Sequence, residues 1–303
     1  MYSNMQGADG DRLYFDGSAL IIVNGEVVAQ GSQFSLMDVE VITAVVDLDE
    51  VRAFRTSPSH GLQSRNTPDY ERIETPFSLS SSQKKMNPML APSPKFEARY
   101  HSPAEEIALS TGCWLWDYLR RSGAAGYLVP LSGGIDSCAT SVAVFSMCRL
   151  VLVALEKGNQ QVIDDVRRIC KYSQGLPKTP QEMCNQLFHS VYMGMKKQSS
   201  KETRQRAKDL SEAIGSYHVN LDIDNIFEAQ RDLIVKHLEY EPKFKTQGTD
   251  FFQTKYTIEY DWRLLTHDPG GTPTESLCLQ NIQARSRMVT VCSTPNYAAC
   301  SFD

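Results

Sequence analysis

A glycine-rich loop is the part of this sequence whose residue types and spacing point most directly to chemistry. It reads Ser132-Gly133-Gly134-Ile135-Asp136-Ser137 and follows the short apolar run 126–131. Glycines without a Cβ atom let backbone amides approach an anion, and a helix starting at Asp136 would add the positive end of its dipole. The Lys of the motif G-x-x-x-x-G-K-[ST] is missing. The loop therefore predicts a phosphate site of another kind than that motif.

The side chains of the loop suggest which groups the site holds. Ser132 and Ser137 supply hydroxyl donors, and an acidic residue beside a phosphate requires a cation between them, which assigns Asp136 to Mg²⁺. The alternative is a Gly-Gly turn that only makes a tight corner, with Asp and Ser as helix caps. Six such positions at the carboxyl end of a parallel strand, where α/β sheets bind ligands, favour the binding site.

Strands alternating with helices are predicted around the loop. Capping boxes mark two helix starts, at Ser102 with Glu105 and at Ser199 with Glu202. The predicted elements are, in order, a helix 103–121, a strand 126–131, helices 136–148 and 162–172, a strand 190–193, a helix ending at Gly215 and a strand 217–221. This βαβ order predicts an α/β fold with a three-layer parallel sheet.

The region before residue 98 has a different pattern. Apolar runs flank Asn24-Gly25, a dipeptide typical of a type I′ hairpin turn, and a further strand is predicted at 39–46. Residues 55–95 are rich in Ser, Pro and Asn without a sustained period, which predicts a linker or surface connection. The chain should therefore begin with the end of one domain, followed by a linker.

Composition limits the possible partners and the compartment. The formal net charge is −5, which argues against nucleic acid or an anionic membrane as the main partner. The eight cysteines include no C-x-x-C pair and no secretory signal precedes them, so reduced thiols and a cytoplasmic location are expected. The six histidines show no metal spacing. No uninterrupted apolar run suggests a membrane span, so a soluble protein is expected.

The motifs together resemble a known family. Ser-Gly-Gly-x-Asp-Ser is similar to the signature of the ATP pyrophosphatases, which adenylate a carboxylate or carbonyl oxygen before nitrogen or sulfur displaces AMP. Four further stretches narrow the resemblance to the eukaryotic glutamine-dependent NAD⁺ synthetases: Tyr100-His-Ser-Pro-Ala-Glu-Glu106, Cys113-Trp-Leu-Trp-Asp-Tyr-Leu-Arg-Arg121, Tyr192-Met193 with Ser199-Ser200 and Glu202-Thr203, and Leu279-Gln-Asn-Ile-Gln-Ala-Arg285-Ser-Arg-Met288. Residues 4–17 resemble the end of that family's nitrilase-like glutaminase domain.

The resemblance implies a fold, ligands and site residues. It implies an adenine-nucleotide alpha-hydrolase-like (Rossmann-like) synthetase domain after the end of a nitrilase-like α-β-β-α domain. Ser132 matches the synthetase active-site serine, and Arg285 matches a contact to deamido-NAD⁺, for which a bidentate guanidinium is suited. The matched ATP-binding loop consists of Pro130, Leu131, Ser132, Gly133, Gly134, Ile135, Asp136 and Ser137. ATP with Mg²⁺, deamido-NAD⁺ and ammonia from glutamine are the implied ligands, and the complete family member is expected to be a homo-oligomer.

The sequence also departs from the family pattern. The glutaminase Glu, Lys and Cys belong before the strand with which this chain starts, so glutamine hydrolysis by the chain alone is not expected. Residues 249–270 have no recognisable counterpart, and after Met288 the expected helix gives way to a segment with Pro295. The predicted organisation is therefore a glutaminase end (1–54), a linker (55–97), an incomplete synthetase domain with an insertion (98–289) and an aberrant tail (290–303).

Three functional hypotheses follow from the sequence. The first is an NAD⁺ synthetase subunit or part of one that keeps nucleotide binding and amidates deamido-NAD⁺. The second is a non-catalytic truncated variant that binds nucleotide or associates with full-length synthetase. The third is another enzyme with the same loop, such as a tRNA-thiolating or GMP-forming one. Acidic net charge and unpaired cysteines weigh against tRNA thiolation, and the nitrilase-like start weighs against GMP synthetases.

Overall fold

A computed structural model describes residues 1–9, 12–65, 67–68, 71, 73–77, 91–171, 175–196, 199–244 and 271–293. The backbone divides into two compact units, residues 1–118 with 153–162 and residues 119–152 with 163–303. The predicted domain boundaries stay predictions.

The helices and strands in chain order are β1 Gln6–Ala8, β2 Tyr14–Asp16, β3 Leu20–Val23, β4 Glu26–Gln30, α1 Leu48–Arg55, α2 Pro58–Ser64, α3 Pro103–Ser122, β5 Tyr127–Pro130, α4 Ile135–Glu156, α5 Gln160–Ile169, α6 Pro180–Leu187, β6 Phe188–Gly194, α7 Lys201–Ile214, β7 Tyr217–Asp222, α8 Asp224–Leu238 and α9 Pro273–Cys292.

Two antiparallel hairpins build the start of the first unit. Strand β1 pairs with β2 and β3 pairs with β4. Between β3 and β4, Asn24 has φ 51° and Gly25 has φ 91°, so both central residues are in the left-handed region that a type I′ turn requires. The hairpin predicted from the Asn-Gly dipeptide is confirmed.

The strand predicted at 39–46 is wrong. Residues 41–46 alternate between exposed and half-buried, but they form no ladder, and Val39, Val41 and Val45 are exposed. The backbone of Val45 bonds to Ser93 instead: its carbonyl accepts from the Ser93 amide and its amide donates to the Ser93 hydroxyl, each at 2.9 Å. Extended backbone becomes a strand only with a neighbour in register, and alternation in sequence does not supply one. Helix α1 ends at residue 55, where the linker was predicted to begin, and α2 lies within the predicted linker.

The capping box predicted at Ser102 is confirmed. The Ser102 amide donates to the Glu105 carboxylate at 2.9 Å, and the Glu105 amide donates to the Ser102 hydroxyl at 3.4 Å. Helix α3 then runs to Ser122, and Gly123 follows with φ 74°. Both ends of this helix therefore have the local chemistry that the sequence indicated.

A parallel sheet of order β5-β6-β7 forms the centre of the second unit, as predicted. The two faces of β6 belong to different apolar clusters. Val191 and Met193 pack with Phe227 of α8 and Leu279 of α9. On the other face Tyr192 packs with residues of α7, α4 and the loop after β5; the members of that cluster are Leu131, Tyr192 and Ala207, with Cys138 and Leu210 packed against them. Alternation along one strand thus produces a three-layer arrangement.

Several helix boundaries differ from those predicted. Helix α4 continues to Glu156, about two turns beyond 148. The N-cap of α7 is Ser200, whose hydroxyl accepts from the Thr203 amide at 3.1 Å, and not Ser199, whose hydroxyl accepts from the Met195 amide. Helix α9 reaches Cys292, so the break predicted after Met288 is wrong, and Val291 is buried there. Helices α6 and α8 were not predicted. The segment 249–270 and residues 294–303 lie outside the described residues.

Helix α4 is unusually apolar. By length and composition it would suffice to cross a membrane, with mean hydropathy 2.0 in its 18-residue window, of which 33% is buried. The sequence analysis considered uninterrupted apolar runs, and α4 is not one, because Ser, Thr and Arg residues interrupt it; such residues barely lower a window average. The helix directly follows β5 as the second part of a βα unit and buries Met147 and Val151. A core helix satisfies the same test, so membrane association gains no support from it.

Candidate functional site

The loop 131–134 joins the carboxyl end of β5 to the amino terminus of α4. The Leu131 amide donates to the Val191 carbonyl at 2.8 Å and so extends the parallel ladder by one residue. The first helical bond of α4 runs from the Cys138 amide to the Gly134 carbonyl at 3.1 Å. The amides of Ile135, Asp136 and Ser137 precede that bond, so no carbonyl of the helix can accept from them. They are donors for an anion at the helix terminus.

Two hydroxyl groups organise the loop internally. The Ser137 hydroxyl donates to the Gly134 carbonyl at 3.1 Å and accepts from the Ser132 amide at 3.2 Å. Because the Ser137 hydroxyl has already donated its hydrogen, it accepts from the Ser132 hydroxyl at 3.0 Å. The Ser132 hydroxyl in turn accepts from the Gly134 amide at 3.2 Å. This assignment uses every hydrogen once. The loop geometry is therefore maintained by the same two serines that the sequence indicated as ligand donors.

Gly133 fixes the loop against the start of α7. It has φ 74°, and a Cβ atom at this position would lie 2.1 Å from the Thr203 carbonyl oxygen. Any side chain would therefore separate the two backbones. The requirement for glycine here comes from close approach as well as from backbone conformation. It brings Ser200 and Thr203 beside the loop.

A cleft of about 360 Å³ opens beside Ser132. Its lining joins the carboxyl ends of β5 and β6 to α7 and α9. The residues that line it are Pro130, Leu131, Ser132, Val191, Tyr192, Met193, Ser199, Ser200, Thr203 and Arg287. Of the predicted loop residues, Pro130 to Ser132 contribute to the cleft, while Gly133 is buried beneath it and Gly134 to Asp136 are exposed at the helix terminus.

Tyr192 is the aromatic residue of the cleft, and two contacts hold it. Its hydroxyl lies 3.1 Å from the Thr203 hydroxyl, and the Arg204 guanidinium carbon lies 5.1 Å from the ring centroid. Arg204 also forms an ion pair with Asp222 at the end of β7. The hydrogen bond to Asp222 raises the pKa of Arg204. The positive charge of Arg204 is thus already paired.

Helix α9 presents its two neighbouring arginines differently. Arg285, predicted to contact deamido-NAD⁺, is exposed and does not line the cleft, whereas Arg287 is half-buried within it. The buried positions Leu279, Gln283 and Ser286 define the inner face of the helix. Residues 285 and 287 are two positions apart and therefore about 200° apart around the helix axis. Residue 287 lies next to the inner face, and residue 285 points away from it. The 3.6-residue period, applied to 279–287, was the signal that would have indicated Arg287.

Asp136, predicted to hold Mg²⁺, lies exposed in the first turn of α4. Within the described parts of the chain its carboxylate has no hydrogen-bond or ion-pair partner, and no group of three His, Cys, Asp or Glu side chains gathers that could hold a metal by itself. Mg²⁺ in proteins is often bound by one or two carboxylates together with substrate phosphates and water. A lone carboxylate beside a phosphate loop fits that kind of donor set.

The comparisons with known proteins agree with this geometry. A family model described as NAD synthase matches residues 109–298, more than half of the chain. The glutamine-dependent NAD(+) synthetase of Saccharomyces cerevisiae is 48% identical over 292 residues, and the match covers 95% of this chain and 38% of the yeast protein. The human glutamine-dependent NAD(+) synthetase is 42% identical, with 95% and 37% covered. The chain thus spans less than two fifths of the length of these relatives.

Solved structures show the same fold. The glutamine-dependent NAD(+) synthetase from Cytophaga hutchinsonii superposes with a TM-score of 0.59 at 20% identity, covering 94% of this chain and 36% of that one. The enzyme from Acinetobacter baumannii, solved in complex with ADP, gives 0.52 at 17% identity, with 95% and 34% covered. From the family match over 109–298, the sequence identity and the shared α/β fold, we conclude that the chain belongs to the NAD synthase family.

Proposed function

We propose that residues 130–137 bind ATP with Mg²⁺ and that the chain takes part in the ATP-dependent amidation of deamido-NAD⁺ to NAD⁺. The observation that carries this proposal is the loop itself: at the start of α4, beside a cleft, are amides without a carbonyl partner among the described residues, in a chain of the NAD synthase family. Support also comes from the Acinetobacter relative, whose structure contains ADP.

The proposed reaction has two steps. An oxygen of the nicotinate carboxylate attacks the α-phosphorus of ATP, the bond from that phosphorus to the bridging oxygen breaks, and pyrophosphate leaves with the electron pair. Ammonia then attacks the acyl carbon, AMP leaves, and a proton is lost from nitrogen to give the amide. In the complete enzyme the ammonia comes from glutamine. Neither step requires a covalent bond to the protein, so positioning and charge stabilisation are the protein's contribution.

The residues of the loop have separate roles in phosphate binding and metal binding. The amides of Ile135, Asp136 and Ser137 and the hydroxyl of Ser132 donate to phosphate oxygens, for which Ser132 exchanges its bond to Ser137 for one to the ligand. The Asp136 carboxylate would hold Mg²⁺, and the ion would supply neutralisation of charge on the phosphates. Arg285 as a contact to deamido-NAD⁺ stays a prediction from the family resemblance.

The test is binding of ATP to the purified chain by isothermal titration calorimetry, with Mg²⁺ and with EDTA. Asp136→Ala should weaken binding in Mg²⁺ more than in EDTA, because the carboxylate holds the cation. Asp164→Ala is the matched control, since Asp164 is an exposed acidic residue whose partner is Arg167 on α5. Equal weakening of Asp136→Ala in both buffers would exclude the metal assignment, and no ATP binding by the wild type would exclude the proposed function.

An activity measurement separates the first two hypotheses. The chain is incubated with ATP·Mg²⁺, deamido-NAD⁺ and ammonium, and NAD⁺ is quantified by an enzymatic cycling assay. NAD⁺ formation that Ser132→Ala abolishes would support a catalytic synthetase. ATP binding without NAD⁺ formation would favour the non-catalytic alternative.

A further inference from the structure

Arg287 reaches the cleft from α9 and is anchored at one nitrogen. Its Nε donates to the Met193 carbonyl at the carboxyl end of β6, at 3.3 Å. The helix behind it is fixed, because the buried Ser286 hydroxyl lies 2.6 Å from the Gln230 side-chain oxygen of α8 and 2.7 Å from the Ile282 carbonyl. The guanidinium is thus positioned by a backbone contact and by helix packing.

The charge of Arg287 has no counterion within the described residues. It takes part in no ion pair there, and none of the residues lining the cleft is acidic. Burial lowers the pKa of its guanidinium, with the Tyr192 phenol acting in the opposite direction. A half-buried cation without an anion is unfavourable, so an anionic ligand would gain more here than at an exposed arginine.

The neighbouring groups indicate which anion fits. Ser132, Ser200 and Thr203 line the same cleft, and their hydroxyls would exchange their present bonds within the protein for bonds to the several oxygens of a phosphate beside the guanidinium. Arg204 lies nearby but is already paired with Asp222 and stacked on Tyr192. Arg287 is therefore the cleft's available cation among the residues the structure describes.

We propose that Arg287 binds a phosphate group of the ligand in this cleft through its two terminal nitrogens, in a bidentate manner. The inference rests on the proposed function, because it assigns a phosphate contact within the same site. The phosphate belongs either to the nucleoside triphosphate or to the pyrophosphate of the dinucleotide. The chemistry of recognition is the same for both.

The experiment measures calorimetric affinity of the full chain for three probes: ATP·Mg²⁺, inorganic pyrophosphate with Mg²⁺, and deamido-NAD⁺. The variants are Arg287→Gln, Arg287→Lys and Arg285→Gln, with Arg167→Gln on α5 as the matched surface control. Arg287→Gln should lower affinity for at least one probe by about tenfold or more, as expected when a charged bidentate contact is lost. Arg287→Lys should recover only part of it, because an ammonium keeps the charge without the fork. Circular dichroism and thermal unfolding monitor folding of each variant.

The probes identify the source of the phosphate. Loss for ATP and pyrophosphate alone assigns the contact to the triphosphate, and loss for deamido-NAD⁺ alone assigns it to the dinucleotide. Affinities of both Arg287 variants equal to wild type for every probe overturn the inference and leave ATP binding standing. Pyrophosphate binding that depends on Arg287 without any ATP binding overturns the proposed function but supports the inference. A wild-type chain that binds none of the probes overturns both.

Discussion

At the scale of single residues, Gly133 combines two constraints that can be measured separately. Gly133 and Gly123 both have φ 74°, but a Cβ atom at Gly133 would lie 2.1 Å from the Thr203 carbonyl oxygen, whereas one at Gly123 would meet nothing within 4 Å. Substitution of Gly123 therefore measures the free-energy cost of the left-handed conformation alone. Substitution of Gly133 measures that cost together with the cost of the close approach of α7 to the loop.

We expect Gly123→Ala to lower the free energy of unfolding by about 1–2 kcal/mol. Gly133→Ala should lower it by a further 1–3 kcal/mol or so, because the backbone of α7 must move away from the loop. Urea denaturation of both variants and of wild type provides the values. Equal losses in the two variants would mean that the contact between loop and α7 has no energetic weight.

His218 belongs to a buried polar network that depends on its protonation. Its Nδ1 lies 2.9 Å from the Ser190 hydroxyl, which also contacts Ser216, while its Nε2 is buried with no hydrogen-bond partner in the described part of the chain. Burial lowers the pKa of His218 below its ordinary value of 6.5, against smaller raising effects of Ser190 and Glu212. The protonated ring carries a hydrogen on both nitrogens, and within the described residues the one on Nε2 has no acceptor.

This arrangement predicts a loss of stability in mild acid. Between the lowered folded pKa and the ordinary pKa near 6.5, the unfolded chain binds more protons. The contribution is therefore complete above pH 6.5 and declines as the pH falls from there toward the folded pKa. Its slope does not exceed about 1.4 kcal/mol per pH unit. Denaturation of wild type and His218→Asn at pH 7.5 and 5.5 should show a smaller pH dependence in the variant; an identical dependence would contradict the prediction.

At the scale of elements, α8 and α9 are brought together on either side of the segment 245–270. The Gly271 amide donates to the Phe244 carbonyl at 3.1 Å, and a Cβ atom on Gly271 would lie only 1.7 Å from the Lys243 carbonyl oxygen. Tyr240 contacts Glu275, the capping-box residue of α9. The residues that flank the segment 245–270 therefore lie next to each other.

Deletion of residues 249–270 should preserve the fold. It leaves 245–248 to connect Phe244 with Gly271, a four-residue connection of the length that commonly joins hydrogen-bonded neighbours. Shortening the loop should raise the free energy of unfolding by up to about 1.5 kcal/mol through loop-closure entropy. Thermal and urea unfolding check this, with Gly271→Ala as a destabilising comparison because it separates the two ends. A loss of cooperative unfolding on deletion would show that the segment contributes to the core.

At the scale of the whole molecule, neither Cys113 nor Cys138 resembles a glutaminase nucleophile. Cys113 is fully buried, its Sγ donates to the Phe34 carbonyl at 3.3 Å, and burial raises its pKa to about 12. Cys138 lies in α4 and packs against the cluster that contains Leu131. A nucleophile must be available as thiolate and accessible to the amide, and neither thiol meets both conditions.

We therefore expect the purified chain to release no ammonia from glutamine at neutral pH. Ammonia is measured with a glutamate dehydrogenase coupled assay, with ammonium chloride added to verify the detection. Cys113→Ser should leave the rate at background, since the buried thiol is not expected to react. Ammonia release that a thiol reagent abolishes would contradict the prediction and would call for a search among the exposed thiols, Cys278 and Cys292.

The sequence by itself determined the features that depend on a few neighbouring residues. The Asn24-Gly25 turn, the Ser102 capping box, the glycine-rich loop after a parallel strand and the parallel βαβ order all follow from local chemistry, and the structure has each of them. The family resemblance came from the same short motifs. These signals are reliable because their physical causes act within one turn or one strand.

Only the tertiary structure decided which residues meet across the chain. Residues 39–46 form no ladder with another described strand, and α9 extends past Met288 because Val291 is buried in the core. On the same helix Arg287 lines the cleft, whereas Arg285 is exposed. Pairing, burial and the inward face of a helix depend on partners distant in sequence, and local residue types do not specify those partners.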